Sequence, residues 1–231
     1  MTLSMRTALE KVRQADHWLA DHEPVPFHVT SHGLEAVITG GMLGIERSDW
    51  VFPGLRERVG AVLRDCPQER LIDGHAGARP YRIAPVSTSA GTRLLHACGM
   101  AATLDNDSAV LCFIGQGSAA TGSFHEALNI AAQQKLRVIF LCHTWNLEHP
   151  ESPLPPQLSG SLSAKGLAYG LQTNTIDGGL ITEVLHAVSD ARSRPGPSLI
   201  EARITPGEDP IERAYSELTE TDPATGESAI A

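Results

Sequence analysis

The sequence predicts an α/β fold, a parallel sheet flanked by helices. Three observations predict it. Apolar runs of strand length occur at residues 108–114 and 137–142 without polar alternation, the pattern of strands buried on both faces. Segments with helical spacing follow each run, so strands and helices alternate along the chain. A glycine-rich turn joins the first run to the helix after it, as in sheets whose ligands sit at the carboxyl ends of the strands.

The elements follow in order. The first 20 or so residues place Leu9, Val12, Ala15, Trp18 and Leu19 on one helical face. Pro24 and Pro26 then break the chain. A second helix is expected over 33–44, and a third over 53–63 with Pro53 in its first turn. Residues 72–90 lack periodicity and read mostly as loop. Beyond them come a helix over 92–104, the strand 108–114, a helix over 121–134 and the strand 137–142. A helix at 161–169, a short strand at 173–176, a helix at 180–192 and a strand at 198–202 complete the pattern. Residues 1–205 are therefore expected to form one α/β domain with an N-terminal helical extension. Residues 206–231 are expected to form a short helix near 210–218 and a mobile acidic tail.

Composition narrows the function. A 231-residue chain that is 42% hydrophobic can bury a sizeable core, which excludes disorder throughout. A net charge of −9 argues against nucleic acid or an anionic membrane surface as partner. No apolar run approaches the roughly 18 residues that a spanning helix needs, so no membrane segment is expected. Cys66, Cys98, Cys112 and Cys142 form no CxxC pair, and the last three sit in apolar contexts that suit small buried thiols. No signal segment opens the chain; a reducing, cytoplasmic setting is expected.

The chemistry concentrates in GQGSAATGSFHEALNIAA, residues 115–132. A strand ending in Gly-x-Gly lets backbone approach a phosphate at a helix entrance. Alone, that turn names no ligand. The longer string, however, resembles the thiamine diphosphate motif of α-subunits of the 2-oxo acid dehydrogenase first component, of pyruvate and branched-chain type. Further segments resemble that family in the same order: GLEA at 33–36, DWVFPGLR at 49–56, IDG at 176–178, PSLIE at 197–201 and DPIER at 209–213. The stretch VSTSAG at 86–91 resembles the loop that lines the family's cofactor site.

The resemblance implies the thiamine-diphosphate-binding fold, with thiamine diphosphate and magnesium as cofactors and a small 2-oxo acid as substrate. It also implies a β-type, pyrimidine-binding partner in an α2β2 heterotetramer, with the cofactor shared between subunits. The implied cofactor positions are Arg56, Ser87, Ser89, Gly115, Gln116, Gly117 and Ser118. The implied metal positions are Gln116, Thr144 and, one residue late, Asn146. Departures from the family pattern gather here. Gln116 stands where an Asp supplies charge, Thr144 and Trp145 replace two Asn residues, Leu55 replaces a Tyr, and a His-bearing loop before DPIER is missing. His75, between glycines, and His143, after a strand, are candidate proton-transfer groups; surface or packing roles are the alternatives. His125 is expected to be structural. Two readings result: half of an acyl-transferring decarboxylase or dehydrogenase, or a non-catalytic α-like subunit that stabilises or regulates a β partner. On either reading, the isolated chain is expected to bind magnesium–thiamine diphosphate weakly or not at all, which calorimetry with and without the β partner checks.

Overall fold

The continuous apolar runs become the middle of a sheet. The computed structural model describes residues 4–22, 29–72, 79–87, 89, 91–105, 107–145 and 161–221. Among the described residues, β1 (Trp50–Phe52), β2 (Val110–Gly115), β3 (Val138–Trp145), β4 (Gln172–Asp177) and β5 (Ser198–Ile204) form one sheet. All pairings are parallel, in the order β1-β2-β3-β5-β4. The parallel sheet flanked by helices is thus the fold expected from the sequence. In β2 and β3 every residue but the last is buried, because both faces are covered. The polar run of β4 belongs to an edge, where half of its residues meet solvent only partly screened.

Alternation along the strands sorts two cores. Leu111, Phe113, Ile139, Leu141 and Ile200 face α1 (Met5–His22), α2 (Glu35–Leu43) and a later helix, α8 (Ile181–Ser193). Val110, Cys112, Ile114, Phe140 and Cys142 face α4 (Thr92–Ala101) and α6 (Gly122–Gln134). The remaining described helices are the one-turn α3 (Glu69–Ile72) and α5 (Gln116–Ala119), with α7 (Leu162–Tyr169) and α9 (Pro210–Thr221). All four cysteines are buried, and burial pushes the Cys98 and Cys112 thiols up to about 11 and about 12, which leaves them unreactive. No helix among the described residues is long and apolar enough to cross a membrane.

Two ionic clusters fix the periphery. Arg13 of α1 bonds Glu35 Oε1 (2.8 Å) and both carboxylate oxygens of Asp209 (2.9 Å each), tying α1 and α2 to the segment before α9. Asp49 is fully buried at the amino end of β1. It accepts the Ala109 and Glu46 amides (2.8 Å each) and Arg192 Nε (2.7 Å), so the DWVF segment is anchored to β2 and α8.

Three local outcomes differ from the sequence reading. The helix expected over 53–63 is a 3₁₀ segment, Glu57–Arg64. Its first residue is held by His143, and Arg64 at its end donates to the carbonyls of Asp49 (2.7 Å) and Glu46 (2.8 Å). With both ends anchored, the tighter winding covers more length per residue. Trp50–Phe52 is a strand where no strand was expected, because three residues are too few for periodicity to register. The turn after β2 is the helical turn α5, and α6 starts only after Thr121, whose Oγ1 caps the Phe124 amide at 3.3 Å. The expectation of a mobile tail falls on 222–231, outside the described residues.

The α2–α8 contact is the tightest helix crossing that bears on the sheet. A Cβ at Gly40 would lie 2.7 Å from Val184 Cβ and 2.8 Å from the Ile181 carbonyl oxygen, so only glycine permits this approach. Gly40→Ala is expected to cost roughly 1–3 kcal/mol by forcing the helices apart, measured as a lowered urea midpoint with unchanged m.

Candidate functional site

The carboxyl ends of β1, β2 and β3 open side by side onto one cavity of about 220 Å³. Gly54 and Arg56 follow β1, Gly115 ends β2, and His143 lies two residues before the end of β3. Ser87, Ser118 and Arg93 close the sides. This is the end of a parallel sheet at which ligands bind, because the strand termini and loops there leave backbone and side chains unpaired by the ladder.

Of the residues expected from sequence, Arg56, Ser87, Gly115, Ser118 and His143 line this cavity together. Gln116 opens α5 directly beyond Gly115; it is buried, and neither amide atom has a hydrogen-bond partner among the described residues. Gly117 is exposed on α5, and Ser89 is exposed with its hydroxyl accepting from Thr92 Oγ1 at 2.9 Å. Thr144 is buried in β3, on the sheet face opposite His143 by strand alternation. His75 and Asn146 lie outside the described residues. His125 is exposed on α6, and its Nδ1 is 3.1 Å from the Tyr169 hydroxyl.

His143 sits inside the central strand of the sheet, since β3 runs three residues further than the apolar run suggested. Its Nε2 is 2.7 Å from Glu57 Oε1, with both residues buried. The Gly54 amide donates to Glu57 Oε2 at 2.8 Å. Burial by itself pushes the Glu57 carboxyl up. The hydrogen bond and charge of His143, with the charge of Arg93, outweigh that and hold it at about 2. An ionised carboxylate only accepts, so the shared proton belongs to His143 Nε2. The imidazole lies against Gly115, where an added Cβ would come 3.4 Å from its Cε1.

Arg93 is the other buried charge. Its Nε donates to the Phe113 carbonyl at 2.9 Å, and its Nη2 and the Glu57 carboxylate crowd the same point beside Gly54. Two guanidinium groups, Arg56 and Arg93, therefore face one carboxylate, and the cavity carries an excess of positive charge. Sequence reasoning missed both Glu57 and Arg93. Glu57 gave no signal, being one charge in the polar run Arg56–Arg58. Arg93 gave one: it shares a helical face with the buried Ala97 and Ala101, a charge where the core pattern calls for an apolar residue.

A phosphate or diphosphate fits this chemistry. Guanidinium forks, serine hydroxyls and exposed backbone are its usual donors. At about 220 Å³ the cavity is smaller than sites for whole drug-sized ligands, roughly 300–1,000 Å³, and suits the charged end of a longer molecule. Magnesium does not fit in the same way. It is held by carboxylate oxygens in octahedral geometry, whereas Gln116 and Thr144 are neutral and Glu57 is committed to His143 and Gly54. No group of three or more His, Cys, Asp or Glu residues is arranged to hold a metal among the described residues.

Both the fold and the sequence have relatives among known proteins. The fold recurs in benzoylformate decarboxylase from Polynucleobacter necessarius, with a TM-score of 0.52 at 21% identity over 73% of this chain and 32% of that one. A Mycobacterium smegmatis structure assigned to the thiamin diphosphate-dependent enzymes shares it with a TM-score of 0.51 at 19% identity, over 75% of this chain and 32% of that one. The molecule thus has the fold of thiamine-diphosphate-dependent enzymes. The sequence profile of the dehydrogenase E1 component family matches residues 3–204, and the chain belongs to that family. It is 32% identical to the 2-oxoisovalerate dehydrogenase subunit alpha of Bacillus subtilis, over 82% of this chain and 66% of that protein. It is 31% identical to the 3-methyl-2-oxobutanoate dehydrogenase subunit alpha of Mycobacterium tuberculosis, over 74% of this chain and 50% of that protein. The chain thus spans between half and two thirds of the length of these two relatives.

The Glu57–His143 pair makes a prediction about pH. The folded carboxyl is depressed from 4.5 to about 2, so its contribution is complete above about 4.5 and is lost as pH falls towards 2. Glu57→Gln is expected to lose roughly 3 kcal/mol at neutral pH. In urea titrations from pH 7 to pH 2, that gap should close over the window between the two values.

Proposed function

We propose that this chain is the α-type, diphosphate-holding half of a thiamine-diphosphate-dependent 2-oxo acid dehydrogenase or decarboxylase, completed by a β-type subunit in an α2β2 assembly. The observation that carries the proposal is the cation-lined cavity at the carboxyl ends of β1, β2 and β3, in a chain of the E1 family. A small branched 2-oxo acid is the proposed substrate, because both relatives are named for one such acid, 2-oxoisovalerate, also called 3-methyl-2-oxobutanoate. The unpaired, buried cysteines suit the reducing cytoplasm as its compartment.

In this reading Arg56 and Arg93 hold the diphosphate with bidentate, charge-assisted bonds, and Ser87 and Ser118 add hydroxyl donors. Bound there, thiamine diphosphate supplies the electron sink that lets a 2-oxo acid lose carbon dioxide. The protein's part is orientation, charge balance and exclusion of water. Glu57 fixes the orientation of the His143 ring at the cavity wall by accepting from its Nε2. A cavity too small for the whole cofactor agrees with a site finished by a second subunit.

Co-expression with a β-type subunit tests the proposal. The assembled pair is expected to decarboxylate small branched 2-oxo acids in the presence of thiamine diphosphate, followed by reduction of an artificial electron acceptor, and the chain alone is expected to be inactive. Arg56→Gln should raise the cofactor concentration for half-activity about tenfold. An assembled pair that turns over no 2-oxo acid with the cofactor present would sink the proposal.

A further inference from the structure

Gln116 and the arginines point beyond the family pattern. A carboxylate cannot approach a diphosphate directly, because both are anions; it needs a cation between them. An amide needs none, since Nε2–H donates straight to a phosphate oxygen. Gln116 is 97% buried, directly beyond the cavity residue Gly115, with both amide atoms left without partners among the described residues. A buried amide in that state calls for a ligand that can satisfy it.

The cavity also carries its own countercharge. Arg93, 93% buried and fixed through the Phe113 carbonyl, and Arg56 at the cavity wall bring two guanidinium groups to the cavity. Among the described residues lining the cavity the one carboxylate, Glu57, is bonded through Oε1 to His143 and through Oε2 to the Gly54 amide, which leaves it poorly placed to hold a divalent ion. Of the other two expected metal positions, Thr144 contributes no charge and belongs to the far face of β3, and Asn146 lies outside the described residues.

We infer that this chain binds its diphosphate ligand without a divalent cation, with Arg56 and Arg93 supplying the positive charge that magnesium provides between a carboxylate and the diphosphate, and the Gln116 amide donating to it directly. The inference rests on the diphosphate-holding role proposed above. Gln116 is then a specificity-determining residue: it selects the metal-free ligand, and an Asp at the same place would repel it.

Calorimetric titration of thiamine diphosphate, and of pyrophosphate as the minimal probe, into the chain assembled with its β-type subunit decides the point. With EDTA present both should bind, with a Kd within about threefold of that measured in excess magnesium. Arg56→Gln, at a half-buried position that does not threaten the fold, should weaken binding in EDTA about tenfold. Gln116→Asp should lose binding in EDTA and regain it only with magnesium, circular dichroism confirming that the variant is folded. Binding or turnover by the wild-type assembly that requires magnesium overturns the inference and leaves the proposed function standing. Absence of thiamine diphosphate binding under both conditions overturns both.

Discussion

The buried contact between Glu57 and His143 joins two parts of the chain that lie 86 residues apart. His143 belongs to the central strand, and Glu57 begins the 3₁₀ segment that follows β1. Neither could be buried alone, since an isolated ion in the interior costs far more than a hydrogen bond returns. Together with Arg93 they balance, and the balance fixes the loop 53–56 over the ends of the strands. The position of Arg56, the orientation of the imidazole and the shape of the cavity all follow from that contact. The 3₁₀ winding follows too, because the segment is tied at Glu57 and again at Arg64.

The surrounding scaffold is rigid for a different reason. Central strands covered on both faces have no room to shift register, since a one-residue slip would exchange the two apolar cores. The close crossing of α2 on α8 and the buried carboxylate of Asp49 hold the far end of the sheet. Stability is thus concentrated in the layers, and the ligand end is left free for polar chemistry. A helical turn at Gln116 in place of an extended loop keeps the amide close to the end of β2.

Much of this was legible beforehand. The apolar runs gave β2, β3 and β5, and helical spacing gave α1, α2, α4, α6, α7 and α8 to within a few residues. The string at 115–132, with the shorter matching segments in order, indicated the family that the profile comparison shows. Arg56, Ser87, Gly115, Ser118 and His143 were named separately along 88 residues of chain, and the fold brings them around one cavity. What stayed hidden was short or long-range. Trp50–Phe52 is too brief to show a period, and Glu57 finds its partner 86 residues away.

The sequence by itself determined the layers, the family and the unusual identity of residue 116, because periodicity and residue type are properties of local stretches. Only the tertiary structure decided which charges are buried against which, and that the Gln116 amide is buried with neither of its polar atoms bonded among the described residues. That outcome depends on the dielectric around each group and on partners far away in the chain. Neither is written in any local pattern.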